Sequence, residues 1–147
     1  MQILDGKALS DQIKIELKKE SDKLNEKGIT PGLAVILVGD DAASQTYVKM
    51  KEKACDTAGI YSIIHKMPTT ISQEKILETI SMINNNPNID GVLVQLPLPK
   101  HIDTTKIIEA IDPKKDVDGF HPFNVGRLVA GLDSFVFNSA LNTSSNK

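Results

Sequence analysis

Leu33-Ala34-Val35-Ile36-Leu37-Val38 is an unbroken apolar run held between Gly32 and Gly39. A strand with no polar alternation must be covered on both faces, which is the habit of parallel sheets flanked by helices. The run is also far too short to span a bilayer. Everything else in the chain has to be arranged around burying this segment.

The neighbouring segments supply the covers. From Asp5 to about Lys27, Leu9, Ile13, Leu17 and Leu24 recur at helical spacing, and Gly28 with Pro31 ends the pattern. Ser44 to Ala58 is again helical, with Gly59 placed to terminate it. Ile60 to Met67 reads as a second strand. Ser72 reads as an N-cap, with Ile71 and Ile76 as a hydrophobic staple, and the helix it opens carries Leu77, Ile80 and Ile83 inward before Asn84-Asn85-Asn86-Pro87. Gly91-Val92-Leu93-Val94-Gln95-Leu96 reads as a third strand, closed by Pro97 and Pro99, and a short helix runs from Asp103 to Ile111. Strands separated by helices require crossover connections. The expected fold is therefore α/β, three layers, with a mainly parallel sheet and helices on both faces.

Composition removes several classes of function. With Lys+Arg 17 against Asp+Glu 19 the formal net charge is −2, which leaves no electrostatic footprint for nucleic acid. Arg127 is the only arginine, so no arginine cluster can clamp phosphate. Cys55 is the only cysteine, which excludes an internal disulfide and a multi-thiolate metal site. His65, His101 and His121 lack ligand spacing, so no metal is expected. No Gly-rich phosphate loop follows a strand, and Gly39-Asp40-Asp41 would repel phosphate. The first residues, MQILDGKALSDQ, do not read as a signal peptide, and the expected location is cytoplasmic, away from membranes.

In open parallel sheets, sites form beyond the carboxyl ends of the strands. Three polar groups there need a reason. Lys51 falls on a stripe with Tyr47, Ala54 and Ala58, whereas Lys49 and Lys53 face away from it. A partly desolvated lysine has a lowered pKa and serves as a proton acceptor; a lysine at such a place can equally snorkel to solvent. Ser44 lies on the same face. Gln95, at the end of an apolar strand, is either a satisfied buried amide or a site group, and Leu96-Pro97-Leu98-Pro99 after it makes a stiff wall. Asp116 and Asp118 alternate, so in an extended segment only one faces a given cleft, where a carboxylate suits a substrate with amino or ring N–H donors.

The stretches VGDDAASQTYVKMKEKACDTAGI, DGVLVQLPLP and KKDVDGFHPFNVGRL, in this order and spacing, closely resemble the bifunctional methylenetetrahydrofolate dehydrogenase/methenyltetrahydrofolate cyclohydrolase family. The similarity runs from about Gly6 to Leu132. It implies that Lys51 is the catalytic lysine, that Tyr47 stacks on the folate and helps hold Lys51, and that Gln95 hydrogen-bonds and tunes it. It implies that Asp118 binds the pterin and that Ser44 supports the site. The implied reactions are oxidation of 5,10-methylenetetrahydrofolate with NADP and hydrolysis of 5,10-methenyltetrahydrofolate to 10-formyltetrahydrofolate, in a family that is usually homodimeric.

Family members continue past the Gly-Leu pair at 131–132 into a Pro-Cys-Thr-Pro turn, a Rossmann-type NADP domain and a returning helix, whereas this chain reads SFVFNSALNTSSNK. The expectation is a folate-binding catalytic domain over 1–132 and an atypical, poorly ordered tail over 133–147. No cofactor-binding residue is expected in the chain, and no NADP-dependent hydride transfer from it alone. A non-catalytic folate-binding remnant of the same fold is the alternative.

Overall fold

The computed structural model describes residues 6–132; the tail expected over 133–147 lies outside them. Eight elements follow one another: α1 (Gly6–Asn25), β1 (Gly32–Val38), α2 (Ala42–Ala58), β2 (Tyr61–Met67), α3 (Gln73–Asn84), β3 (Gly91–Val94), α4 (Thr104–Glu109) and α5 (Pro122–Val129). The strands form one parallel sheet in the order β2-β1-β3, so the apolar run of β1 takes the centre.

Side chains alternate across a strand, and β1 feeds two cores. Ala34, Ile36 and Val38 pack with Ile76, Ile80 and Ile83 of α3 and Ile107 of α4 on one face. Val35 and Leu37 pack with Leu93 and with Val48 of α2 on the other. The topology dictates this division. The chain steps outward from β1 to β2, then reverses across β1 to β3. With right-handed crossovers, that reversal sends α2 and α3 to opposite faces. α1 forms an outer layer against α2, tied by the Ser21 hydroxyl donating to the Gly59 carbonyl at 2.7 Å.

Four local outcomes differ from the sequence reading. Helix α2 starts at Ala42, because the Asp41 carboxylate caps it. Strand β3 ends at Val94, although the Gln95 N–H still donates to the Ile36 carbonyl at 2.9 Å before Pro97 ends the ladder. The stripe Leu9, Ile13, Leu17 and Leu24 of α1 faces outward, and Ser21 is the residue that α1 buries. Finally, α5 stands where no helix was expected. Pro122 opens it, and the His121 Nδ1 accepts from the Phe123 N–H at 3.0 Å.

The segment before α5 extends the sheet. The Val92 N–H donates to the Lys115 carbonyl at 2.7 Å, and Asp116 pairs in parallel with Val92 along the free edge of β3. Two residues further on, Asp118 borders the same depression as Val92, Val94 and Leu96 at this end of the sheet.

Candidate functional site

The loops leaving β1 and β3 diverge to opposite faces, since α2 packs on one core and α4 on the other. A crevice at such a switch point is where open α/β sheets place ligands. Helix α2 forms one wall. The Asp41 carboxylate accepts from the Ser44 N–H at 2.7 Å. That backbone hydrogen bond, with a second from the Ser44 hydroxyl, holds the Asp41 carboxyl below its ordinary range. Ser44 is thus buried, with its hydroxyl turned to the helix cap.

The buried stripe of α2 is Ser44, Val48, Cys55 and Ala58. At about 100° per residue, Lys51 falls inside this stripe, between Ala58 and Ser44. It is half-buried, while Lys49 and Lys53 are exposed. Tyr47 sits at the margin rather than within the packed face, with 59% of its surface open to solvent. Cys55 is buried, and loss of hydration, with the charge of Asp56, pushes its thiol pKa up.

The Lys51 Nζ reaches the Gln95 Oε1 at 3.5 Å, a long hydrogen bond. The Gln95 Nε2 donates to the Leu96 carbonyl at 2.8 Å, which turns the amide oxygen toward the lysine. Asp118 stands at the rim of a small depression walled by Val92, Val94, Leu96, Ile108, Ile111 and Phe120. Asp118 is exposed overall, yet this apolar wall takes part of its hydration. Desolvation raises its pKa, the positive charge of Lys51 opposes the rise, and Asp116 adds to it. Lys51, Gln95 and Asp118 therefore converge from α2, the end of β3 and the segment before α5. Tyr47 lies one turn from Lys51 on the open side.

The sequence reading leaves Asp116 as the carboxylate turned away from the cleft or toward it, and it gives Asn124 no role. Asp116 is 2% exposed and Asn124 is 3% exposed, and the Asn124 amide donates to the Asp116 carboxylate at 2.8 Å. Asp116 was visible as the alternating partner of Asp118; Asn124 lies in the helix that was not expected. No group of three or more His, Cys, Asp or Glu side chains among the described residues is placed to hold a metal ion. Among the described residues no Gly-rich phosphate loop follows a strand. The turn after β1 is acidic, Gly39-Asp40-Asp41, and the turn after β3 runs into proline. No helix among them is long and apolar enough to cross a membrane.

A parallel sheet between helical layers, with an amine, an amide and a carboxylate gathered at its switch point, places the chain in the class of three-layer α/β domains. The chain belongs to the tetrahydrofolate dehydrogenase/cyclohydrolase family, whose catalytic-domain profile matches residues 4–118. It is 70% identical over 135 residues to the bifunctional protein FolD of Nautilia profundicola, covering 92% of this chain and 48% of that protein. FolD of Aliarcobacter butzleri is 66% identical over 137 residues, with the same coverage. Among solved structures, the bifunctional FolD of Campylobacter jejuni superposes with a TM-score of 0.89 at 54% identity, over 91% of this chain and 48% of that one. The Trypanosoma brucei dehydrogenase-cyclohydrolase, solved with NADP cofactor and an inhibitor, gives 0.87 at 32% identity, over 97% and 52%. The chain spans about half the length of the curated relatives it matches.

Proposed function

We propose that this chain is the folate-handling catalytic part of a methylenetetrahydrofolate dehydrogenase/methenyltetrahydrofolate cyclohydrolase. The observation that carries the reading is the approach of the Lys51 amine to Gln95 at 3.5 Å within the field of Asp118. In this reading the Asp118 carboxylate accepts hydrogen bonds from the pterin amino and ring N–H groups and fixes the reacting carbon. Tyr47, already exposed, offers its ring to the folate. Ser44 supports the wall through the helix cap.

Hydrolysis then needs a proton acceptor at neutral pH. The oxygen of water bonds to the methenyl carbon while its proton passes to the Lys51 amine. The carbon–nitrogen bond to the pterin nitrogen breaks as that nitrogen receives a proton back from Lys51. The hydroxyl proton leaves as the formyl C=O forms, giving 10-formyltetrahydrofolate. Gln95 holds the amine in line throughout.

For the oxidation of 5,10-methylenetetrahydrofolate, NADP supplies the hydride acceptor when bound. The described residues contribute the folate side of that cleft and no dinucleotide cradle. A homodimer and a cytoplasmic location belong to the same reading.

Decay of 5,10-methenyltetrahydrofolate, followed by its absorbance, tests the proposal. Lys51→Met should slow enzymatic hydrolysis by at least about a hundredfold, the low end of general-base contributions. Equal rates for wild type and Lys51→Met remove Lys51 from the chemistry.

A further inference from the structure

Among the described residues no group hydrogen-bonds the Asp118 carboxylate, whereas two residues earlier Asp116 has three such bonds. One Asp116 oxygen accepts from the Gly119 N–H at 3.1 Å. The other accepts from the His121 N–H at 2.9 Å and from the Asn124 Nδ2 at 2.8 Å. Asn124 also donates to the Pro113 carbonyl at 2.9 Å. Asp118 therefore sits in a turn whose two ends are pinned to one buried carboxylate, with Gly119 supplying the left-handed residue (φ 70°) that lets the chain reverse. Lys115 anchors the other flank, its Nζ donating to the carbonyls of Ile83, Asn84 and Asn86 at 3.2, 2.8 and 2.9 Å.

A buried carboxylate that accepts three hydrogen bonds is held far more firmly than an exposed one, because each donor left unpaired in the interior costs free energy. We infer that Asp116, clamped by Asn124, is a positioning residue: it holds the turn that presents Asp118 to the ligand opposite Lys51. The inference rests on the folate reading, and it adds that the ligand-binding carboxylate is aimed by its buried neighbour rather than by its own contacts.

Equilibrium binding of tetrahydrofolate to the full chain, in a double-mutant cycle, tests it. Asp116→Asn should weaken binding about tenfold, within the range of coupling between neighbouring groups, and Asp118→Ala should weaken it at least as much. In the Asp118→Ala background, Asp116→Asn should cost nothing further, an outcome that a merely structural role does not produce. Should Asp116→Asn fail to fold, Asn124→Ala takes its place in the same cycle. Additive losses, or a wild-type affinity for Asp116→Asn, overturn the inference while leaving the folate reading intact. A wild-type chain that binds no tetrahydrofolate overturns both.

Discussion

Lys51 owes its place to arithmetic along α2. Ser44, Val48, Cys55 and Ala58 bury themselves against the sheet, and a residue between them in angle must either pack or find a polar partner. Gln95 is that partner, with Asp118 adding an opposite charge. Spacing alone distinguishes Lys51 from Lys49 and Lys53. It does not reveal Gln95, which is 44 residues away in the chain and joins Lys51 only through the fold. Asp118 carries a consequence for stability. Desolvation raises its folded pKa above 3.8, so ionising it costs the folded state more than the unfolded one. Its favourable contribution is complete below 3.8 and is lost as pH rises through the higher folded value. Asp118→Asn should therefore match or exceed wild-type stability in urea at pH 7, and that margin should shrink toward zero as pH falls to 3.8. A variant less stable than wild type at pH 7 contradicts this balance.

The elements differ in how plainly their residues announce them. β1 was legible because nothing polar interrupts it, and α3 because Ser72 accepts from the Lys75 N–H at 3.3 Å as a helix cap does. α5 was not legible, because its outward residues Phe123, Leu128 and Val129 imitate a core stripe, while its one buried residue is the polar Asn124. Pro122 at its first position was the usable signal. Gly32 shows why β1 begins where it does: a Cβ there would lie 1.9 Å from the Asn88 carbonyl oxygen. Backbone against backbone cannot yield as a side chain can. Gly32→Ala should lower stability by roughly 1–3 kcal/mol, as overpacking does, measured by chemical denaturation. Gly6→Ala, where a Cβ meets nothing within 4 Å, is the matched control and should be neutral or mildly stabilising. Equal effects at the two positions contradict the steric account.

For the molecule as a whole, the decisive feature is the reversal from β2 across β1 to β3. It divides the helices between two faces and opens the crevice into which α2, the end of β3 and the turn before α5 deliver their polar groups. The α/β architecture followed from the alternation of apolar runs and amphipathic stretches. The strand order did not, since parallel strands linked by helices can be ordered in more than one way. The central claim is that this crevice holds a reduced folate, with Asp118 on its pterin. Equilibrium titration of the wild-type chain and Asp118→Ala with tetrahydrofolate measures it directly. Loss of hydrogen bonds to a charged group is worth about 1.5–3 kcal/mol each, so Asp118→Ala should bind at least about tenfold more weakly. Equal affinity in the two proteins, or no binding by wild type, contradicts the account.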